Sequence, residues 1–507
     1  MLPTPPFSHS PSLKTSPPFI GLPRFAIKDN FTENFIAMKK LSIYFAVMVS
    51  LMAFQKTAAQ GPNVTWEKSD YIGATSRFYD VEKTSDGGSI AIGWKDSDGH
   101  ALIVKTKANG QEQWRYETLI SPWSYTGTSI SQTSDGGYIA GGYYQGDTDG
   151  NTRGFLLKLS STGAKQWIAA NLYGYNSSKI YSVRQSSDGT YIFGGTTHKD
   201  DNNRDYGWVR KVNASGNQIW DKITEGLDNC SIPSIIPIND ALGSGYLQLF
   251  YSTYSNGYYR IFRKDENYND IWLSDFMYGV SSDASLTVSN NGFTMIYSFP
   301  VSGWGKQIGV KKYVLIPVGS SFIYGESFSE NYGLLGDETI TRNRNIRQTP
   351  DNGFVFVGST KSIGNGGFDM WVVKLDADGA MKWQKALGTS NTDYGYGIDI
   401  TNDGGYIASG MKNGKAWLVK LGGSLGTDEI SKNKVSLYPN PVKDVLHISS
   451  EKEIESVNIF NMAGQKVAIP MVVVSKQINT SSLAPGTYLV QIKFRDGETR
   501  TEKIIKK

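Results

Sequence analysis

Three acidic loops hold the densest set of metal-binding side chains: Asp96-Ser97-Asp98-Gly99, Asp147-Thr148-Asp149-Gly150-Asn151 and Asp200-Asp201-Asn202-Asn203. An Asp-x-Asp-Gly run is how an oxygen-rich calcium loop begins, which makes Asp96, Asp98, Asp147 and Asp149 candidate ligands. A complete loop adds a third ligand position and a distal bidentate Glu, and neither follows here. Asp and Gly are also what tight turns prefer, so the same loops read as solvated turns. No cofactor other than calcium is suggested. Two carboxylates about 5–9.5 Å apart could hydrolyse a glycosidic bond, but Asp is too frequent for one pair to stand out. His9, His100, His198 and His447 have no partner at a spacing such as His-Glu-x-x-His, and His100 and His198 read as exposed loop residues. Cys230 is the single cysteine, which excludes an intramolecular disulfide and a Cys-based metal site. Its thiol reads as a small buried apolar group. No catalytic set emerges.

Aromatic residues are the stronger lead. Tyr143, Tyr144, Tyr254, Tyr258, Trp123 and Trp304 fall in or near the connections between expected strands. Flat rings at a rim suit sugars or proteins, and Trp123 and Trp304 are the candidate ligand contacts. The competing use of such rings is packing between repeats.

The elements that would position these groups repeat. Asp86-Gly87-Gly88-Ser89-Ile90 recurs at Asp135, Asp188, Asn291, Asp351 and Asp403, with a degraded copy at Gly243-Ser244-Gly245-Tyr246-Leu247, seven in all. Asp-Gly or Asn-Gly supplies the positive φ of a hairpin turn, and the apolar run behind it packs as a strand. Trp114, Trp167, Trp220, Trp272 and Trp383 mark the ends of units, at spacings of 53, 53, 52 and 111. The last interval is two periods, so one unit has lost its Trp, with a substitute near Phe322 or Tyr324. Four short strands per unit of about 50 residues, seven times over, describe an all-β chain with a seven-bladed β-propeller over 60–421. The last unit lacks its Trp strand, and Val64-Thr65-Trp66-Glu67 supplies it, closing the ring and removing two exposed edges. The rival architectures are an open β-solenoid or two β-sandwiches.

Charge divides the chain in the same way. Residues 1–59 and 434–507 each carry +4, whereas 60–433 carries −4. A mildly acidic body argues against nucleic acid as a partner. Met38-Lys39-Lys40, the apolar run 41–54 and Thr57-Ala58-Ala59 form a secretory signal over 38–59, cleaved between Ala59 and Gln60. Its apolar run is too short to span a bilayer, so no transmembrane span is expected. Residues 1–37 are Pro/Ser-rich and read as a non-translated stretch or a disordered leader.

After a Gly/Ser/Thr-rich linker at 422–433 the register changes. Tyr438-Pro439-Asn440-Pro441, then Ile459-Phe460-Asn461-Met462-Ala463-Gly464-Gln465-Lys466-Val467, then Leu483-Ala484-Pro485-Gly486-Thr487-Tyr488-Leu489-Val490, and the basic end Lys503-Ile504-Ile505-Lys506-Lys507 follow in order. By pattern this is a small immunoglobulin-like β-sandwich over 434–507. It resembles the type A C-terminal sorting domain of the type IX secretion system of Bacteroidota. The resemblance implies delivery to the periplasm by the signal peptide, then passage across the outer membrane directed by this domain. It also implies the secretion machinery and a sortase-like peptidase as partners, and a product that is released or attached to the cell surface. For the propeller three hypotheses remain: a non-enzymatic glycan- or protein-binding module, an extracellular polysaccharide hydrolase or lyase, and a purely structural surface protein.

Overall fold

The computed structural model describes residues 59–507 apart from 72–74, 97–98, 119–122, 146–150, 171–176, 199–203, 225–228, 304, 334–335, 342–343, 423–435, 451–452, 462–464, 468–470, 473–475 and 496–498. The expected leader 1–37, the expected signal segment but for Ala59, and all of the linker but Gly422 lie outside the described residues.

Seven sheets follow one another between residues 59 and 421, each built on four antiparallel strands or a close variant of them. The second is typical: Ser124–Gln132, Tyr138–Gln145, Thr152–Leu159 and Lys165–Ala170 pair in chain order. Its middle strands are buried almost throughout, as strands covered on both faces must be. The first turn is set by Asp135-Gly136, with Gly136 at φ +77°. Lys158, on the third strand and nearly fully buried, reaches back to Asp135 at 2.9 Å. Thr133 donates to the same carboxylate. Lys105–Asp86, Lys211–Asp188, Arg263–Asp240, Lys374–Asp351 and Lys420–Asp403 repeat the contact in the first, third, fourth, sixth and seventh sheets. The lysine also explains the second glycine of the turn. A Cβ on Gly137 would lie 2.5 Å from Lys158 Nζ and 2.4 Å from Leu159 O.

Val64–Lys68 pairs antiparallel with Lys415–Leu421 as the outer strand of the seventh sheet. Ala59–Gln60 runs parallel to Met381–Leu387 at the edge of the sixth. The first residues described are therefore held by two of the last sheets.

Neighbouring sheets dock through the ring on the outer strand. Trp114 covers Gly163 and Trp167 covers Gly216, each glycine lying in the last turn of the following sheet, where a Cβ would meet the indole at 2.7 and 3.0 Å. Trp220 packs against Tyr268, ring centroids 5.1 Å apart, and Tyr268 holds the equivalent turn at φ +69°. Trp383 covers Gly61, and Trp66 covers Gly110 while donating its indole N–H to Ala108 O. The contacts run from sheet to sheet and from the seventh back to the first. In the fifth sheet the substitute for Trp is Phe328, which covers Gly379. Neither Phe322 nor Tyr324 fills that role. Gly305–Val318 and Ser321–Tyr332 form a longer hairpin than the other sheets have, which moves the docking position several residues down the strand. Tyr324 instead receives Trp272 of the fourth sheet, ring centroids 5.2 Å apart.

The C-terminal unit is two four-stranded sheets. Leu446, Ile448, Ile459, Val490, Ile492 and Ile504 are among the residues of its single buried core.

Candidate functional site

The acidic loops divide. Asp96 is an exposed turn residue whose backbone caps the hairpin, and Asp98, Asp147 and Asp149 lie outside the described residues. No group of three His, Cys, Asp or Glu gathers as metal ligands among the described residues. His100 differs from the exposed loop residue expected: it opens the strand His100–Thr106 and is buried, 3.7 Å from Glu117. His198 closes a strand, 2.5 Å from Asp205. Cys230 is buried.

The first strands of the first, third, sixth and seventh sheets, with Arg344 just before Ile346–Gln348, carry a second set of charges. Arg344 pairs with Glu82 and approaches Asp80 at 3.8 Å, and Arg347 pairs with Asp399 at 3.2 Å. Backbone amides complete the acids: Ile130 N–H donates to Asp80, Gln132 N–H to Glu82 and Lys83 N–H to Asp399. Arg184 donates to Ser129 and to Val183 O. Burial first, then the neighbouring Arg344 charge, pushes the Arg184 guanidinium down to about 9. Five of the seven sheets are thus cross-linked at their first strands. These carboxylates already have donors, which makes the cluster a clamp.

Exposed aromatics concentrate elsewhere, on the fourth sheet. Its outer strand Asp270–Leu273 stops, and Met277–Tyr278 resumes pairing with the same neighbour, Tyr258–Asp265. The residues between form a bulge pinned by Ser274, whose hydroxyl accepts from Ile261 N–H and whose carbonyl accepts from Arg260 Nε. A bulge re-aims the side chains beside it. Here it places Phe276 5.1 Å from Tyr258 and 5.8 Å from Tyr278, with the Arg260 guanidinium 4.4 Å from the Phe276 ring centre. Phe276 is 44% exposed and Tyr278 58%. The adjoining turn carries Tyr254, 45% exposed, and holds Ser255 and Asn256 at positive φ. Two successive non-glycine residues in that region are a strain that marks functional loops. Such a platform offers ring faces and a guanidinium to one ligand.

Of the two rings singled out in the sequence, Trp123 is half-buried and stacks on Tyr144 at 5.2 Å, and Trp304 lies outside the described residues. Phe276 and Tyr278 are not among the rings that the sequence pattern marks. The signal available was the segment Asp275-Phe276-Met277-Tyr278-Gly279, which interrupts the pattern after Trp272.

In the C-terminal unit the motif residues hold the last strand. Asn440 Oδ1 accepts from Ile505 N–H, and Val442 N–H donates to Ile505 O. Tyr438 is exposed and stacks on His447, and Pro439 and Pro441 are exposed beside it. Tyr488 donates to Ala484 O just before Pro485-Gly486. Lys503 pairs with Leu489 in the ladder, and Gly464 lies outside the described residues.

The successive four-stranded sheets and the separate two-sheet unit define a propeller-like all-β chain with a C-terminal accessory domain. That domain is a secretion system C-terminal sorting domain, the family whose model matches residues 436–507. A sorting domain of the type IX system implies export to a secreted or cell-surface location. No helix among the described residues is long and apolar enough to cross a membrane. Beta-agarase D of Zobellia galactanivorans is 36% identical over 72 residues, 14% of this chain and 15% of that protein. The chain thus matches only a small part of that relative's length. Among solved structures, PorZ, a surface component of the type IX secretion system of Porphyromonas gingivalis, has a TM-score of 0.42 at 13% identity, covering 85% of this chain and 59% of that one. The periplasmic gluconolactonase PpgL of Pseudomonas aeruginosa has a TM-score of 0.40 at 14% identity, covering 61% and 84%.

Proposed function

We propose that the mature protein is a seven-bladed propeller, residues 60–421, that binds extracellular glycan without transforming it. On this reading the signal peptide 38–59 is cleaved between Ala59 and Gln60. The immunoglobulin-like domain 434–507 engages the secretion machinery and is removed by a sortase-like peptidase, and 422–433 is the joint between them. The observation that carries the binding reading is the Phe276–Tyr278–Tyr258 platform with Arg260 beside it. Sugar rings stack their C–H faces on such surfaces while a guanidinium holds their oxygens. Binding is favoured over hydrolysis because Asp80, Glu82 and Asp399 are engaged by arginines and backbone amides. A general acid must instead be free to protonate a leaving group.

The test is a glycan array probed with the exported protein and with the double variant Phe276→Ala/Tyr278→Ala. Binding by the first, lost in the second at an unchanged melting temperature, is expected. A blank array, or binding that the double variant keeps, would remove the platform from the argument.

A further inference from the structure

Sheets six and seven meet at two connections, 361–368 and 388–393, the first of them glycine-rich, and a pair of carboxylates is buried between them. Asp369 opens the strand Asp369–Leu375, and Asp393 directly precedes Tyr394–Ile400. The two connections are tied by Asp393 N–H donating to Phe368 O at 2.6 Å and Gly367 N–H donating to Asn391 O at 3.2 Å. Asp369 is 1% exposed and Asp393 is fully buried. Asp393 has its donors: Asn413 N–H at one oxygen, Thr389 N–H and Oγ1 at the other. Asp369 is only half satisfied. Its Oδ2 accepts from Asn365 N–H at 2.8 Å, and its Oδ1 has no partner.

The orphan oxygen faces the second carboxylate. A Cβ on Gly388 would lie 2.0 Å from Asp369 Oδ1 and 2.8 Å from Asp393 Oδ2, so the two oxygens border one small space that only glycine leaves open. Among the described residues no Lys, Arg or His pairs with either acid. Neutral oxygens lie in the same connections, with Ser390 O packed against Gly366 and Thr392 Oγ1 against Gly367. Two like charges buried without a counter-charge are costly unless something neutralises them.

We propose that Asp369 and Asp393 hold a calcium ion that locks the sixth sheet to the seventh. The donor set is oxygen alone, which suits a hard cation. Irregular connections suit the variable geometry of calcium better than the strict octahedron of magnesium. Two carboxylates, with loop oxygens and water completing the shell, give the weak affinity of extracellular calcium modules, about 0.1–1 mM. The connection before Asp369 is of the same type, between second and third strands, as the one in which the sequence places Asp96 and Asp98, but in the sixth sheet rather than the first.

The exported protein, stripped with chelator, tests this in two ways. Saturating calcium should raise its melting temperature by about 3 °C. Terbium should give luminescence on tyrosine excitation, because Tyr394 adjoins Asp393 and stacks near Phe368, and calcium should quench that signal by displacement. Asp369→Asn should abolish both responses and, in chelator, melt no lower than the parent, since it removes one of two repelling charges. Asp393→Asn serves as a second variant should the first fold poorly. The proposal is overturned if about 10 mM calcium leaves the melting temperature unmoved, a concentration well above the expected affinity. Responses that survive in Asp369→Asn overturn it as well. So does stabilisation by acid alone, which would mean that Asp369 simply carries a proton.

Discussion

Replacing Trp66 by Ala should destabilise the propeller as much as the equivalent change in the middle of the chain. Trp66 lies on the strand Val64–Lys68, which closes the seventh sheet, and its indole covers Gly110 of the first. Its N–H donates to Ala108 O at 2.9 Å. The side chain is half-buried. Half of a tryptophan's roughly 200 Å² of buried area, at about 25 cal/mol per Å², is about 2.5 kcal/mol. The exposed hydrogen bond adds about 0.5 kcal/mol, for a total near 3 kcal/mol. Trp167 makes the same contact between the second and third sheets, covering Gly216 and donating to Ala214 O at 3.0 Å. Urea unfolding of Trp66→Ala and Trp167→Ala should therefore give matching losses of about 3 kcal/mol, with Trp66→Phe losing about 1 kcal/mol. In an open stack the strand 64–68 would be a fraying terminus, and its removal would cost almost nothing globally. A Trp66→Ala variant within about 0.5 kcal/mol of the parent, beside a Trp167→Ala variant that loses about 3 kcal/mol, would refute closure through this strand.

Acid should erode the frame over a defined range. For Asp86, Asp135 and Asp351, burial alone would push the carboxyl up, but the buried lysine, the threonine hydroxyl and the turn amide together hold each at about 2. Their folded values lie below the unfolded value near 3.9, so their contribution is full above about pH 5 and is lost as pH falls toward 2. Urea melts from pH 6 to pH 2 should show that limb, shallower in Lys158→Met. Arg344→Ala leaves the buried Asp80 and the half-buried Glu82 without their cation and should cost about 3 kcal/mol, measured by urea unfolding. Gly136→Ala meets no atom closer than 3.9 Å and should cost about 1 kcal/mol for its left-handed backbone. Gly137→Ala drives a methyl into Leu159 O at 2.4 Å and should cost clearly more; thermal melts of the pair check the order.

The sheets were legible because their signals are local and periodic. Asp135-Gly136 makes a turn whatever surrounds it, and the alternation behind it makes a strand. Val64-Thr65-Trp66-Glu67 could be assigned to the last sheet because it matched the strand that sheet lacked. The use made of each turn aspartate was written in the sequence but harder to read. Lys105, Lys158, Lys211, Lys374 and Lys420 stand at one position of the third strand, 17–23 residues after their aspartates. The clamp at the first strands was not legible. Arg344 and Glu82 are 262 residues apart, and only the return of the seventh sheet to the first makes them neighbours.

The positions that repeat are therefore occupied by the frame. Each turn aspartate holds a lysine or arginine, most outer-strand tryptophans hold a neighbouring turn, and the acids of the first strands hold arginines. A ligand must be met by residues that the frame does not use, and those stand where the repeat is broken. The fourth sheet has lost its Asp-Gly turn for Gly243-Ser244-Gly245 and carries the Ser274 bulge that exposes Phe276 and Tyr278. The sixth places Asp369 after the run Gly364-Asn365-Gly366-Gly367-Phe368, against an acid rather than a lysine. Trp123, by contrast, sits in a unit that keeps the pattern, and its stacking on Tyr144 is what a framework residue does. Searching a repeat for function by its exposed aromatics alone selects both kinds of ring. Searching first for the units that depart from the pattern selects Tyr254, Tyr258, Phe276 and Tyr278 together, because strand pairing no longer dictates what those positions must be.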